Sequence, residues 1–361
     1  MNKKMTLMLA LLLALALAMA GFAGCTPKTV NESVSDADAQ QAAEAPEAPA
    51  ETATETTNEV VYKVAITQIV DHPSLNVCKQ GAIDKLAELG YVDGENITVM
   101  FENAQGDPAV ATTIAQQFVS GKADVIMAIA TPSAQAAYAA AMGNIPVVFS
   151  AVSEPAAAGL ASEDGTNLAG VTGTSDKLPV AATFDLIKAL TPDAVKVGIL
   201  HNTSEVNSDV QLAKAQALAP EYGLEIVNVG ITSTNEIASA LDALLPQVDV
   251  VMNLTDNMVV SALPLVVQKC NEAGIALYGS EDTQVKGGAL ASAGVDYYEL
   301  GKINGEMIAA ILDGTPAEAL PIATLKVPML IVNTDQLALL GITVPDALLD
   351  KVELVTAEAA E

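Results

Sequence analysis
One pattern of apolar runs occurs twice in this chain. Lys63 to Gln68 (KVAITQ), Asp124 to Ile129 (DVIMAI) and Ile145 to Ser150 (IPVVFS) return as Lys196 to His201 (KVGILH), Asp249 to Leu254 (DVVMNL) and Ile275 to Ser280 (IALYGS). The spacing is 125 to 133 residues, which is too long for a solenoid unit. Each run is continuously apolar, as strands buried on both faces are, and segments of helical spacing separate the runs. That alternation requires a parallel sheet covered by helices on both sides. The chain is therefore expected to form two similar Rossmann-like α/β lobes.

The elements follow from local signals. In the first lobe, strands are expected over 60–69, 96–102, 123–130 and 145–149, and helices over 75–89, 108–119 and 132–142, with Gly90 and Gly121 as stops. In the second, strands are expected over 196–201, 224–229, 249–254 and 275–280. Helices are expected up to Tyr222 and over 235–245. Only 3% of residues are aromatic and Trp is absent, while 51% are hydrophobic, so the cores must be aliphatic. Gly170-Val171-Thr172-Gly173 reads as a turn or a hinge segment between the lobes.

The N-terminus is an address. Lys3 and Lys4 precede an apolar Leu/Ala run from Met5 to about Ala20, and Phe22-Ala23-Gly24-Cys25 follows. This is the layout of a secretory signal, too short for a bilayer span. The Cys after Ala-Gly resembles a bacterial lipoprotein signal, with residues 1–24 removed and Cys25 lipidated. Residues 25–59 are rich in Ala, Glu, Thr and Pro without a periodic apolar face, the composition of a disordered stalk. The remaining thiols, Cys78 and Cys270, read as buried and free.

Charge excludes several functions. There are 16 basic residues, all Lys, against 44 acids, for a net charge of -28. Such a chain cannot replace phosphate counterions on nucleic acid, and it will not adsorb to anionic lipid by charge. No nucleophile elbow, HExxH pair, P-loop or paired-Cys metal spacing occurs, so no catalysis, cofactor or metal is expected.

Ligands of open parallel sheets sit beyond the carboxyl ends of the strands. The loops there contain the candidate contacts. In the first lobe these are Gln68, His72, Thr131, Ser133, Ala134 and Ser150. In the second they are Asn202, Ser204, Asn207, Asp256, Asn257, Glu281 and Asp282. Both histidines, His72 and His201, fall in this set of loops. Thr131-Pro132-Ser133 opens a helix, with Thr131 as a candidate N-cap, and the free N–H groups there suit a carboxylate that no Arg can meet. Asp256, in the matching loop of the second lobe, suits an ammonium.

The runs ITQIVDHPSL, NAQGDPAVATTIAQQ, IATPSAQAA, VVFSAVSEP, NTSEVNSDVQ, LTDNMVVSAL and GGALASAGVDYYELGK occur in order between Tyr62 and Leu349. Together they resemble the ABC-transporter substrate-binding lipoproteins that include tryptophan- and aromatic-amino-acid-binding proteins. Glu154 stands where that family usually has Asp, and Ser280-Glu281-Asp282 where a single acid is usual. The resemblance implies a type I periplasmic-binding-protein fold with a three-strand hinge. It implies a first lobe of residues 60–172 plus 286–318 and a second of 173–285 plus 319–355. It further implies a monomer, lipid-anchored on the outer side of the cell membrane, that delivers an amino-acid-like solute to a permease and its ATPase. A receptor using the same clamshell for signalling is the alternative.

Overall fold
The computed structural model describes residues 61–325 and 328–357. The expected signal peptide, Cys25 and the stalk lie outside the described residues. Among those described, no helix is long and apolar enough to cross a membrane.

The first half alternates strand and helix: β1 (Tyr62–Gln68), α1 (Pro73–Glu88), β2 (Ile97–Asn103), α2 (Pro108–Ser120), β3 (Val125–Ile129), α3 (Thr131–Ala141), β4 (Val147–Ser150) and β5 (Val171–Ser175). The pattern resumes with α4 (Val180–Leu190), β6 (Lys196–Asn202), α5 (Val206–Leu218), β7 (Glu225–Ile231), α6 (Ile237–Leu244), β8 (Val250–Met252), α7 (Asn257–Ser261), α8 (Leu263–Ala273), β9 (Ala276–Gly279), α9 (Asp282–Lys286) and β10 (Ala291–Gly294). The chain ends with α10 (Tyr297–Leu312), β11 (Ala323–Thr324), β12 (Met329–Asn333), α11 (Thr334–Leu340), α12 (Asp346–Leu349) and β13 (Glu353–Val355).

Two sheets result. One has the order β11-β5-β4-β3-β1-β2, the other β13-β12-β10-β9-β8-β6-β7. Among the described residues the strand pairings are parallel except β10 with β12. The repeat seen in the sequence has a structural counterpart in two aspartates. Asp124 accepts the Lys63 N–H at 2.7 Å, and Asp249 accepts the Val195 and Lys196 N–H groups at 2.8 and 2.7 Å. Each closes the leading end of its sheet by the same bond.

The cores are aliphatic, as the composition requires. All five residues of β3 are buried. In the second sheet, Ile199, Met252 and Tyr278 face one core, while Leu200, Val251 and Leu277 face the other. This alternation to opposite faces is the pleat of a strand with helices on both sides. Cys78 and Cys270 are free and buried.

Helix α10 packs on α1 with almost no space between the backbones. A Cβ on Gly301 would lie 1.9 Å from the Cys78 carbonyl oxygen, and one on Gly81 2.3 Å from that of Tyr298.

The chain crosses between sheets after β5, after β10 and between β11 and β12. These crossings come later than the boundaries expected after residues 172, 285 and 318. Residues 171–175 form a full strand rather than a turn, because Gly173 (φ 156) fits where a Cβ would sit 2.0 Å from the Phe149 carbonyl oxygen. The small residues of β10 pair with β9 and β12 in the second sheet before the chain returns. The short β11 still pairs with β5 in the first.

Candidate functional site: a cleft between two sheet ends
The loops beyond the strand ends of the two sheets meet across a narrow cleft with a cavity volume of about 20 Å³. From the first lobe it is lined by His72, Ser74, Leu75, Thr131, Ala151 and Ser153. From the second come Asn207, Thr255, Asp256, Asn257, Val260 and Gln284, with Ser280 and Glu281. Asp176 and Tyr297, which stand beside two of the crossovers, complete the wall.

The edges of the cleft touch. Ser74 Oγ donates to Glu281 Oε1 at 2.8 Å and lies 2.7 Å from Thr283 Oγ1. Ser153 Oγ lies 2.7 Å from Thr255 Oγ1. Lys214 on α5 pairs with Glu154 of the opposite lobe. The lobes are closed on each other.

Of the residues expected from sequence, His72, Thr131, Asn207, Asp256, Asn257 and Glu281 line this cleft. Asn202 and Ser204 instead line a larger neighbouring cavity of about 340 Å³, with Ile69, Val70, Pro132 and Met258. Asn257 borders both spaces. Gln68 is occupied at the start of α1, donating to the Val70 carbonyl and to Asn76 Oδ1. Ser150 is bonded to Cys78 and Asn304 inside the first lobe, and Ala134 is core. Asp282 pairs with Lys286 one turn along α9. His201 closes β6 and lies 3.8 Å from Asp209, away from the cleft lining.

Thr131 is not an N-cap. Ala130 holds that position with φ 74 and no side-chain bond, so Thr131 becomes the first helical residue and faces the cleft. Two residues on, Ser133 is fully buried, and its Oγ has no hydrogen-bond partner. Asp256 is the cap of α7: it accepts from the N–H groups of Val259 and Asn202 and from Ser208 Oγ. Glu281 caps α9 in the same way, through Thr283.

The electrostatics are one-sided. Asp176, Asp256 and Glu281 line the cleft, Glu205 lies behind Asn257, and no Lys is among the described lining residues. Burial raises the carboxyl of Asp256, and burial with the charge of Asp256 raises that of Glu205. Burial, then the neighbouring Asp282, pushes Glu281 up to about 7. Burial lowers His72 to about 4, so its ring is neutral; Asn257 lies near it without a well-formed hydrogen bond, and both ring nitrogens lack partners. A cleft with buried acids, a neutral imidazole and a helix N-terminus complements a small zwitterion.

Sequence reasoning missed Asp176 as a site residue because the strand that delivers it read as a turn or hinge segment rather than as a strand ending at the cleft. It missed Glu205 because nothing local separates that acid from the many others.

Residues 63–355 match the family of ABC transporter substrate binding proteins. The chain belongs to that family. Its members capture solutes and do not transform them. A tyrosine-binding protein of Clostridioides difficile (strain R20291) is 42% identical over 274 residues, 76% of this chain and 79% of the relative. A Streptococcus pneumoniae ABC domain solved in complex with L-Trp shares 34% identity, covering 81% of this chain and 99% of that one, with a TM-score of 0.78. An open, ligand-free substrate-binding protein with adhesive properties from Clostridium difficile is more identical, at 39% over 82% of this chain and all of that one, yet its TM-score is 0.63. The better superposition therefore follows lobe arrangement rather than identity. It agrees with the hydrogen bonds that close this family member's cleft. The fold is the type I periplasmic-binding fold.

Proposed function
We propose that this chain captures an aromatic amino acid for an ABC importer, tethered outside the membrane by a lipid on Cys25. The observation that carries the ligand reading is the polarity of the cleft. Thr131, the first residue of α3, lines it from one lobe, and buried acids border it with no cation among the described lining residues. A carboxylate is stabilised at such a helix end, and an ammonium beside the acids. Leu75, Val260 and Tyr297 supply the apolar surface for a ring. The tyrosine-binding relative and the L-Trp complex support the choice of an aromatic side chain. The anchor rests on the signal-like run before Cys25. Delivery to a permease and ATPase rests on the family.

A thermal-shift screen of all the amino acids on protein stripped by unfolding and refolding tests this. Tyrosine or tryptophan should give the largest stabilisation. No shift with any amino acid, alongside a shift with a sugar or nucleoside, would overturn it.

A further inference from the structure
We infer that Asp176, on the crossover from β5 to α4, is the group that receives the ligand's ammonium. This deepens the amino-acid reading above and rests on it. Three observations single out Asp176 among the buried acids. First, it is the least engaged. A carboxylate has about four acceptor positions. Those of Asp256 receive Asn202, Ser208 and Val259, and those of Glu281 receive Ser74 and both donors of Thr283. Glu205 receives Asn202, Asn207, Asn257 and Met258. Among the described residues Asp176 receives two bonds from other residues, from Ser153 Oγ at 2.9 Å and from the Tyr297 hydroxyl, besides the approach of its own N–H.

Second, Asp176 is 4% exposed yet lines the cleft, and no basic side chain is among the described lining residues. Its chain neighbour Lys177 lines a different groove, with Leu178, Pro179 and Val295. Burial raises the Asp176 carboxyl, as expected for a charge lacking a counterion. A ligand ammonium would supply that counterion.

Third, its position gives the contact a purpose. Asp176 follows β5 directly, and Tyr297 opens α10 just after the return from β10. Their hydrogen bond ties two of the crossovers together. An ammonium held there sits on the hinge, so both lobes can close on it without either carrying it. Asp256 and Glu281 are instead spent on starting α7 and α9.

The test is calorimetry with L-tyrosine, L-tryptophan and their deaminated analogues, 3-(4-hydroxyphenyl)propionate and indole-3-propionate. Wild type should prefer each amino acid by at least about 30-fold, the lower range for a buried charge partner. Asp176→Asn, which can still accept from Tyr297, should bring that preference within about threefold. Asp256→Asn, measured beside it, should lower the melting temperature through loss of the α7 cap. If Asp176→Asn does not fold, Asp176→Ser gives the same readout. A preference that survives at Asp176 and disappears at Asp256 overturns the inference while leaving amino-acid capture intact. So does a wild type that binds the deaminated analogues equally well. A wild type that binds no amino acid overturns both.

Discussion

Ser74 and Glu281 belong to opposite lobes and share a hydrogen bond of 2.8 Å, with both residues almost fully buried. Ser74 lies in the first turn of α1 and Glu281 caps α9, so the bond forms only when the lobes are together. Ser74→Ala should therefore weaken ligand binding about ten- to a hundredfold, the worth of one hydrogen bond to a charged acceptor. The loss should appear in the dissociation rate. Stopped-flow displacement would measure it, and an unchanged rate would remove this pair from the closing mechanism.

Acid should stabilise the ligand-free protein. Burial holds Glu281 at about 7 against 4.5 for a free Glu, so across that interval the folded chain keeps a proton that the unfolded chain releases. The stabilisation is present at the low end and lost as pH rises through it, on the order of 3 kcal/mol. The raised carboxyls of Asp176, Glu205 and Asp256 act in the same direction. His72 opposes them, because lowering to about 4 costs stability as pH falls below 6.5. With four groups against one, the melting temperature should be higher at about pH 5.5 than at about pH 8. Glu281→Gln should flatten the slope, and an equal slope in both proteins would count against the assignment.

Gly301→Ala should destabilise the first lobe. An added methyl gains up to about 1 kcal/mol of helix propensity but must displace the α1 backbone, since its nearest neighbour is the Cys78 carbonyl. A net loss of about 2 kcal/mol, or a melting temperature lower by roughly 4–8 °C, is expected. Gly90→Ala provides no such clash, since nothing lies within 4 Å of its Cβ position, though its φ of 90 adds strain of its own.

Cys25→Ser should leave the protein in the soluble fraction or its precursor uncut. Fractionation of cells followed by immunoblotting distinguishes these outcomes from continued membrane attachment with normal processing, which would refute the lipid anchor.

The doubly wound lobes were legible because Val125 to Ile129 and its counterpart near Val250 can only be buried strands. The strand-end rule then pointed to loops from which His72, Thr131, Asn207, Asp256, Asn257 and Glu281 do reach one cleft. Other polar residues of the same loops turned inward. Gln68 and Ser150 satisfy neighbours that are distant or invisible in a linear pattern, such as Asn304 on α10. Asp176 stayed hidden for a different reason. Gly173 marks a turn in most sequences, and only the packing of β5 against Phe149 shows why a strand needs it.

The close seat of α10 on α1 also orders the way the molecule is made. Strands β6 to β10 are contiguous in sequence and can assemble as soon as they are synthesised. The lobe that begins first must wait, its Cys78, Ala82 and Leu86 face uncovered, until residues 297–312 emerge. Closing that contact spans most of the chain, and such long-range closure is slow. The first lobe therefore stays open until most of the second has been made, with only the segment from β12 to β13 still to be added to that one.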